Sequence, residues 1–150
     1  MAVRQVDISR KKIVRREAVA SGRIKLKPST VELIKDGRIE KGDPLQIARV
    51  AGIMGAKLVP SLMPLCHILK LEHVEITTEL KEDGVEVKAY VTATEKTGVE
   101  MEALTAVSTA LLNIWDVVKQ YEKDEHGQYP STVITDIKVL RKVKHGDEGP

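Results

Sequence analysis

Side chains able to move protons fall at three places along this sequence. His67 closes the run Met63-Pro64-Leu65-Cys66-His67; Glu100 and Glu102 sit in Thr97-Gly98-Val99-Glu100-Met101-Glu102; Asp116 and Lys119 interrupt an apolar run from Leu111 to Val118. An imidazole titrates near pH 6.5 and can give or take a proton around neutrality. The plainer role for His67 is a histidine with a satisfied hydrogen bond. Cys66 beside it has apolar neighbours and reads as a buried, unreactive thiol. Two nearby carboxylates raise one another's pKa, which suits acid–base work; glutamates in a first helical turn also simply favour the helix dipole. If the chain is extended at Glu100, period two puts both carboxylates on one face. If it is already helical, they diverge by about 200°. Asp116 and Lys119, three residues apart, share a helical face, as a solvated pair or a working one.

Glu102 and Asp116 lie fourteen residues apart, about 21 Å along a straight helix. A small substrate could not touch both from one subunit, so either the substrate is long or two subunits share the site. Lys41 precedes a glycine and a helix start, a setting for anion contacts. Arg15, Arg16, Lys57, Lys119 and Lys142 are further candidates for a polyanionic ligand. His67 and His73 have no acidic partner at metal-ligand spacing, so no protein metal site is expected.

These residues need elements to hold them. Val14 to Leu26 reads as a bent or bulged strand containing Gly22. Pro28-Ser29-Thr30 opens a helix that Asp36-Gly37 stops. Asp43 and Pro44 are the N-cap and first residue of a second helix. That helix is apolar nearly all round to Ala56, as if buried by its own chain or by a second subunit. Pro60 and Pro64 are expected to break it, leaving a loop from Ser61 to Leu69. Val74–Leu80 and Val85–Thr92 form a hairpin about Glu82-Asp83-Gly84. Leu104, Val107, Leu111, Ile114 and Val118 mark a helix from about Met101 to Tyr121, and Thr132–Val143 a last strand. The tail from Lys144 to Pro150 is expected to fray. Helices and hairpins without regular βαβ alternation point to an α+β domain, with helices on one face of a mostly antiparallel sheet.

At 150 residues and 42% hydrophobic, the chain has the size of a single globular domain, 1–150, with flexible termini. Lys and Arg total 24 against 22 Asp and Glu. That balance disfavours nucleic acid as a partner, although the basic N-terminal stretch would allow salt-sensitive binding. One cysteine excludes an intrachain disulfide and fits a reducing compartment. No apolar run approaches the roughly 20 residues of a membrane span. A charged N-terminus lacks a signal-peptide core. The expectation is a cytoplasmic protein with no membrane partner.

The assembled segments closely resemble the molybdenum cofactor biosynthesis protein C family, the cyclic pyranopterin monophosphate synthases. The likeness runs from Val6-Asp7-Ile8-Ser9 through Lys41-Gly42-Asp43, then Ala48 to Lys57 and Met63 to His67. It continues from Lys96 to Ser108 and through Ile114-Trp115-Asp116 to Lys119. It differs from the family in Ile68, usually Pro, in Trp115, usually Tyr, in a longer link around Gln128–Thr135, and in its tail. The resemblance implies a ferredoxin-like α+β fold and a homohexamer, a trimer of dimers, with active sites between subunits. It also implies a lyase that converts a GTP-derived cyclic nucleotide triphosphate to cyclic pyranopterin monophosphate, releasing pyrophosphate. Asp116, Lys119, Lys41 and Lys142 then match catalytic positions, and Arg16, Lys57, Cys66, His67, Glu100, Met101 and Glu102 substrate-binding ones. No cofactor is required, though Mg²⁺ can accompany the triphosphate. A non-catalytic nucleotide-binding oligomer of the same fold is the alternative.

Overall fold

The computed structural model describes residues 1–146. Its elements run β1 (Val14–Lys25), α1 (Pro28–Lys35), α2 (Pro44–Lys57), α3 (Val59–Leu62), β2 (Leu71–Lys81), β3 (Gly84–Glu95), α4 (Glu100–Glu122) and β4 (Val133–Lys144). The strands form one antiparallel sheet in the order β2-β3-β1-β4. β3 lies between β1 and β2, and β1 between β3 and β4. Each helical crossover therefore spans a strand that belongs to the other unit. This α+β arrangement fits the ferredoxin-like expectation.

Alternation along β1 and β3 decides which face the helices cover. Ala18, Ala20 and Ile24 pair with Val91, Ala89 and Val85, and all six are buried. α4 brings Val107, Leu111, Ile114 and Val118 onto this surface, each fully buried. Gly22 permits the approach, because a Cβ there would sit 2.8 Å from Val107 Cγ1 and 2.9 Å from Leu111 Cδ1. The β1–β4 ladder slips on either side of Ser21, so the expected bulge is present. The opposite sheet face is polar. There Glu17, nearly buried, accepts from Tyr90 Oη at 2.6 Å and Arg15 at 2.8 Å, with His145 at 3.3 Å and Arg141 at 3.6 Å.

α2 begins as expected: Asp43 accepts the Leu45 N–H at 2.9 Å, a cap worth ~1 kcal/mol, and Pro44 follows. Gly52 lets it pack against β2 and α4, with Ile76 Cγ1 2.9 Å and the Ala106 carbonyl 3.2 Å from where a Cβ would stand. Within the chain only one face of α2 is buried. Val50 and Met54 remain 61% and 57% exposed, so its own chain does not enclose the helix all round. Pro60 does not begin a loop either. It occupies the first turn of α3, where the absence of an N–H costs nothing.

α4 is long and apolar enough to cross a bilayer by length and composition, but its apolar stripe is spent on the sheet and it carries five charged residues. Its end is pinned from within. Glu122, fully buried, accepts from the Thr30 hydroxyl, from Thr132 Oγ1 at 2.6 Å and from the Lys27 N–H at 3.1 Å. One carboxylate thus joins α4 to the starts of α1 and β4. The tail expected to fray from Lys144 overlaps the last residue of β4 and the described His145 and Gly146; its remainder, 147–150, lies outside the described residues.

Candidate functional site

The candidate residues gather at two stations, one at each end of α4. The first is a pocket of about 350 Å³ between the 63–69 loop, the first turn of α4 and the N-terminal segment. Cys66, His67, Glu100, Met101 and Glu102 all line it. Glu100 and Glu102 are both helical, so their carboxylates diverge. Glu102 is only 3% exposed, and burial pushes its pKa up to about 7; the Glu100 charge adds to that rise, while its own backbone N–H opposes it. Glu100 Oε2 is buried with no hydrogen-bond partner among the described residues, though Lys142 Nζ stands 3.4 Å away. Lys142 reaches it because β4 pairs Lys142 with Ala18, on the helix-covered face. Cys66 is half-buried rather than fully buried as expected, and burial, then Glu102 and Glu100, raise its thiol, which favours the protonated form.

His67 is fixed by the chain's own N-terminal segment. Its Nε2 lies 2.7 Å from the Val6 carbonyl. A carbonyl only accepts, so Nε2 carries the proton. Gln5 Nε2 donates to the Cys66 carbonyl at 3.1 Å, and Lys96 Nζ to the Ser9 carbonyl at 3.3 Å. Val6, Ile8 and Lys11 line the same pocket. Sequence reasoning left this segment out of the site; its one local signal was the Asp7-x-Ser9 pattern, which forms a turn with Asp7 Oδ1 accepting the Ser9 N–H at 2.8 Å.

The second station lies about four turns on. Lys119 Nζ is 3.2 Å from Asp116 Oδ1, and Lys41 Nζ is 3.8 Å from Oδ2 and donates to the Asp116 carbonyl at 3.1 Å. The two lysines hold the Asp116 carboxyl below its usual range, through the Lys119 hydrogen bond first. Lys41 arrives on the loop after α1, which is tied to α4 by the Glu40 N–H to Tyr121 Oη at 2.9 Å and by Gln120 to Glu40 at 3.0 Å.

Two expected residues stand apart from both stations. Arg16 is 5% exposed and donates to the Glu95 and Lys96 carbonyls at 3.1 and 3.2 Å, so it braces the strand leading into Thr97-Gly98. Lys57 is exposed at the end of α2, beside a shallow cleft lined by Leu71 and His73. Among the described residues no group of three or more His, Cys, Asp or Glu side chains is placed to hold a metal ion.

Residues 5–145, which include both stations, match the MoaC family. The chain belongs to that family. Its relatives in the family include a protein of Pyrococcus abyssi, 54% identical over 142 residues, covering 95% of this chain and 89% of the relative. A protein of Sulfurisphaera tokodaii is 54% identical over 143 residues, covering 95% of each chain. One from Thermococcus kodakarensis is 55% identical over 146 residues, 97% of this chain and 93% of the relative. All three are named probable cyclic pyranopterin monophosphate synthases.

Proposed function

We propose that this chain is a cyclic pyranopterin monophosphate synthase of molybdenum cofactor biosynthesis, acting in the cytoplasm. The reaction converts (8S)-3′,8-cyclo-7,8-dihydroguanosine 5′-triphosphate to cyclic pyranopterin monophosphate and releases pyrophosphate. The observation that carries this reading is a MoaC-family chain with a proton-holding carboxylate, Glu102, at one end of a helix and a Lys41–Asp116–Lys119 cluster at the other.

Each station suits one half of the chemistry. Opening and reclosing a purine-derived ring requires protons to be given and taken near neutral pH, which Glu102 at about 7 can do. Glu100 Oε2, buried and without a hydrogen bond among the described residues, is an acceptor for the N–H groups of a guanine-derived base. His67, Met101 and the protonated Cys66 complete the wall against which that base is positioned. At the other station Lys41 and Lys119 place positive charge where a triphosphate loses pyrophosphate. Asp116 orients Lys119, and Lys142 adds a cation beside Glu100. Lys57 is assigned to the phosphates, and Arg16 to the loop that carries Thr97 and Gly98. Mg²⁺ would arrive with the triphosphate; no protein ligand is assigned to it.

The stations are too far apart along α4 to serve one small substrate within a chain. The reading therefore includes a homohexamer, a trimer of dimers, whose neighbours pair opposite stations. The exposed Val50, Met54, Leu58 and Leu62 along α2 and α3 support burial against further copies. A pyrophosphate-release assay on the cyclic nucleotide tests the assignment. Turnover that Lys119→Ala abolishes is expected; folded oligomer that releases no pyrophosphate would overturn it.

A further inference from the structure

The N-terminal segment has no part in the chemistry assigned so far, yet it touches the pocket at every turn. Residues 5–9 have left no strand or helix to join. They cross the mouth of the pocket, with Val6 and Ile8 in its wall and Lys11 following. Three tethers hold them there: Gln5 to the Cys66 carbonyl, the Val6 carbonyl to His67, and the Ser9 carbonyl to Lys96. The tethers come from two otherwise separate pieces, the 63–69 loop and the turn after β3.

The geometry points to residues 5–9 being a strap that sets the working form of His67. A carbonyl 2.7 Å from Nε2 can be satisfied only by an N–H, so the strap keeps that nitrogen a donor. The proton-accepting position is thereby confined to Nδ1, for which the described residues supply no hydrogen-bond partner. An unstrapped imidazole could present either nitrogen to the substrate and rotate about its side chain. A strapped one offers one nitrogen in one place, which is the kind of preorganisation that proton transfer rewards. Asp7 braces the turn within the strap: the Ser9 N–H and hydroxyl hold its carboxyl low, and the Lys96 charge acts in the same direction. Gln5 and Val6 are therefore positioning residues, acting on substrate through His67.

The strap's residues are mostly exposed, so substitutions there leave the core intact. The test compares the full-length chain with Gln5→Ala and Gln5→Ala/Ile8→Ala by NMR of the imidazole protons, assigned through His67→Gln. The expected native result is a His67 Hε2 signal protected from solvent exchange, with a coupling to the Val6 carbonyl carbon across the hydrogen bond. Both should weaken in the single variant and vanish in the double one. The kinetic arm rests on the synthase reading: kcat for pyrophosphate release should fall about tenfold in the double variant with KM within about twofold, short of the ~10²-fold loss expected for removing His67 itself. An unprotected Hε2 in the native chain, or equal protection in the double variant, would overturn the strap. So would unchanged kcat in a variant that has lost the signal. Absence of any native turnover would sink the synthase reading, with the spectroscopic arm still deciding the strap.

Discussion

The two ends of α4 carry the same kind of acid in opposite states. At the first turn Glu102 is almost out of water, with no ion pair to a cation among the described residues, and it holds a proton to about pH 7. About four turns later Asp116, its side chain 61% exposed, lies between two ammonium groups and gives up its proton more readily than usual. The helix dipole alone predicts the reverse, since it favours a charged carboxylate at the N-terminus by ~0.3–1 kcal/mol. A rise from 4.5 to about 7 corresponds to roughly 3 kcal/mol, so desolvation outweighs the dipole. Position on a helix sets where an acid stands; burial and cations decide what it can do. One end is suited to exchanging protons and the other to holding charge.

The comparison breaks first at the charged end. Lys119→Ala should lower pyrophosphate release by roughly 10²–10⁴-fold while leaving the melting temperature nearly unchanged, because the side chain is 42% exposed and its ion pair lies at the surface. Full activity in that variant would remove the far station from the chemistry. A mixing experiment then tests whether the stations work in pairs. Lys119→Ala and His67→Ala chains, each expected to lose about 10²-fold or more of activity, are unfolded together and refolded. Shared sites predict recovery of about a quarter of native activity, the statistical fraction of sites with two intact halves. Recovery no greater than the two parents would confine each site to one chain.

Glu102→Gln probes the proton-holding end through stability. The folded pKa stands above the unfolded 4.5, so the native carboxyl contributes fully below pH 4.5 and becomes a burden as pH rises through about 7. Denaturant melts between pH 4 and 8 should show the variant gaining on the native chain by roughly 2–3 kcal/mol over that window. Parallel curves would mean that Glu102 is not desolvated. The smallest effect belongs to Glu17 on the open sheet face, where Tyr90 first, then His145 and Arg15, hold the carboxyl down at about 2. Here the sign reverses: native stability over Glu17→Gln is present above pH 4.5 and lost as pH falls toward 2. A gap that stays constant with pH would discount that cluster.

Much of this was legible in the sequence where a signal is local. The spacing of Leu104 to Val118 located α4 to within a residue at either end. Asp43-Pro44 marked the start of α2 and Glu82-Asp83 the hairpin. α2 does stop before Pro60, but the loop expected from Ser61 begins as the short α3, because proline breaks a helix interior yet suits a first turn. The separation of the two stations followed from helical rise alone. The strap over His67, the Arg16 brace and the Glu122 pin did not, since each joins residues more than 60 positions apart or depends on which strand lies beside which. Burial of Glu102 was equally hidden: its neighbours in sequence suggest a helix start, whereas its neighbours in space keep water away.

α4 is also a ruler. A straight helix turns 100° and advances 1.5 Å with each residue, so one residue added or lost between Glu102 and Asp116 would swing the far station a quarter turn around the axis. The Gly22 contact with Val107 and Leu111 and the Glu122 pin would resist any compensating rotation. Substitutions along this stretch can drift freely on the outward face, but its length cannot. Among descendants of this sequence, insertions should accumulate in the connections between elements and be purged from the thirteen residues between the two acids.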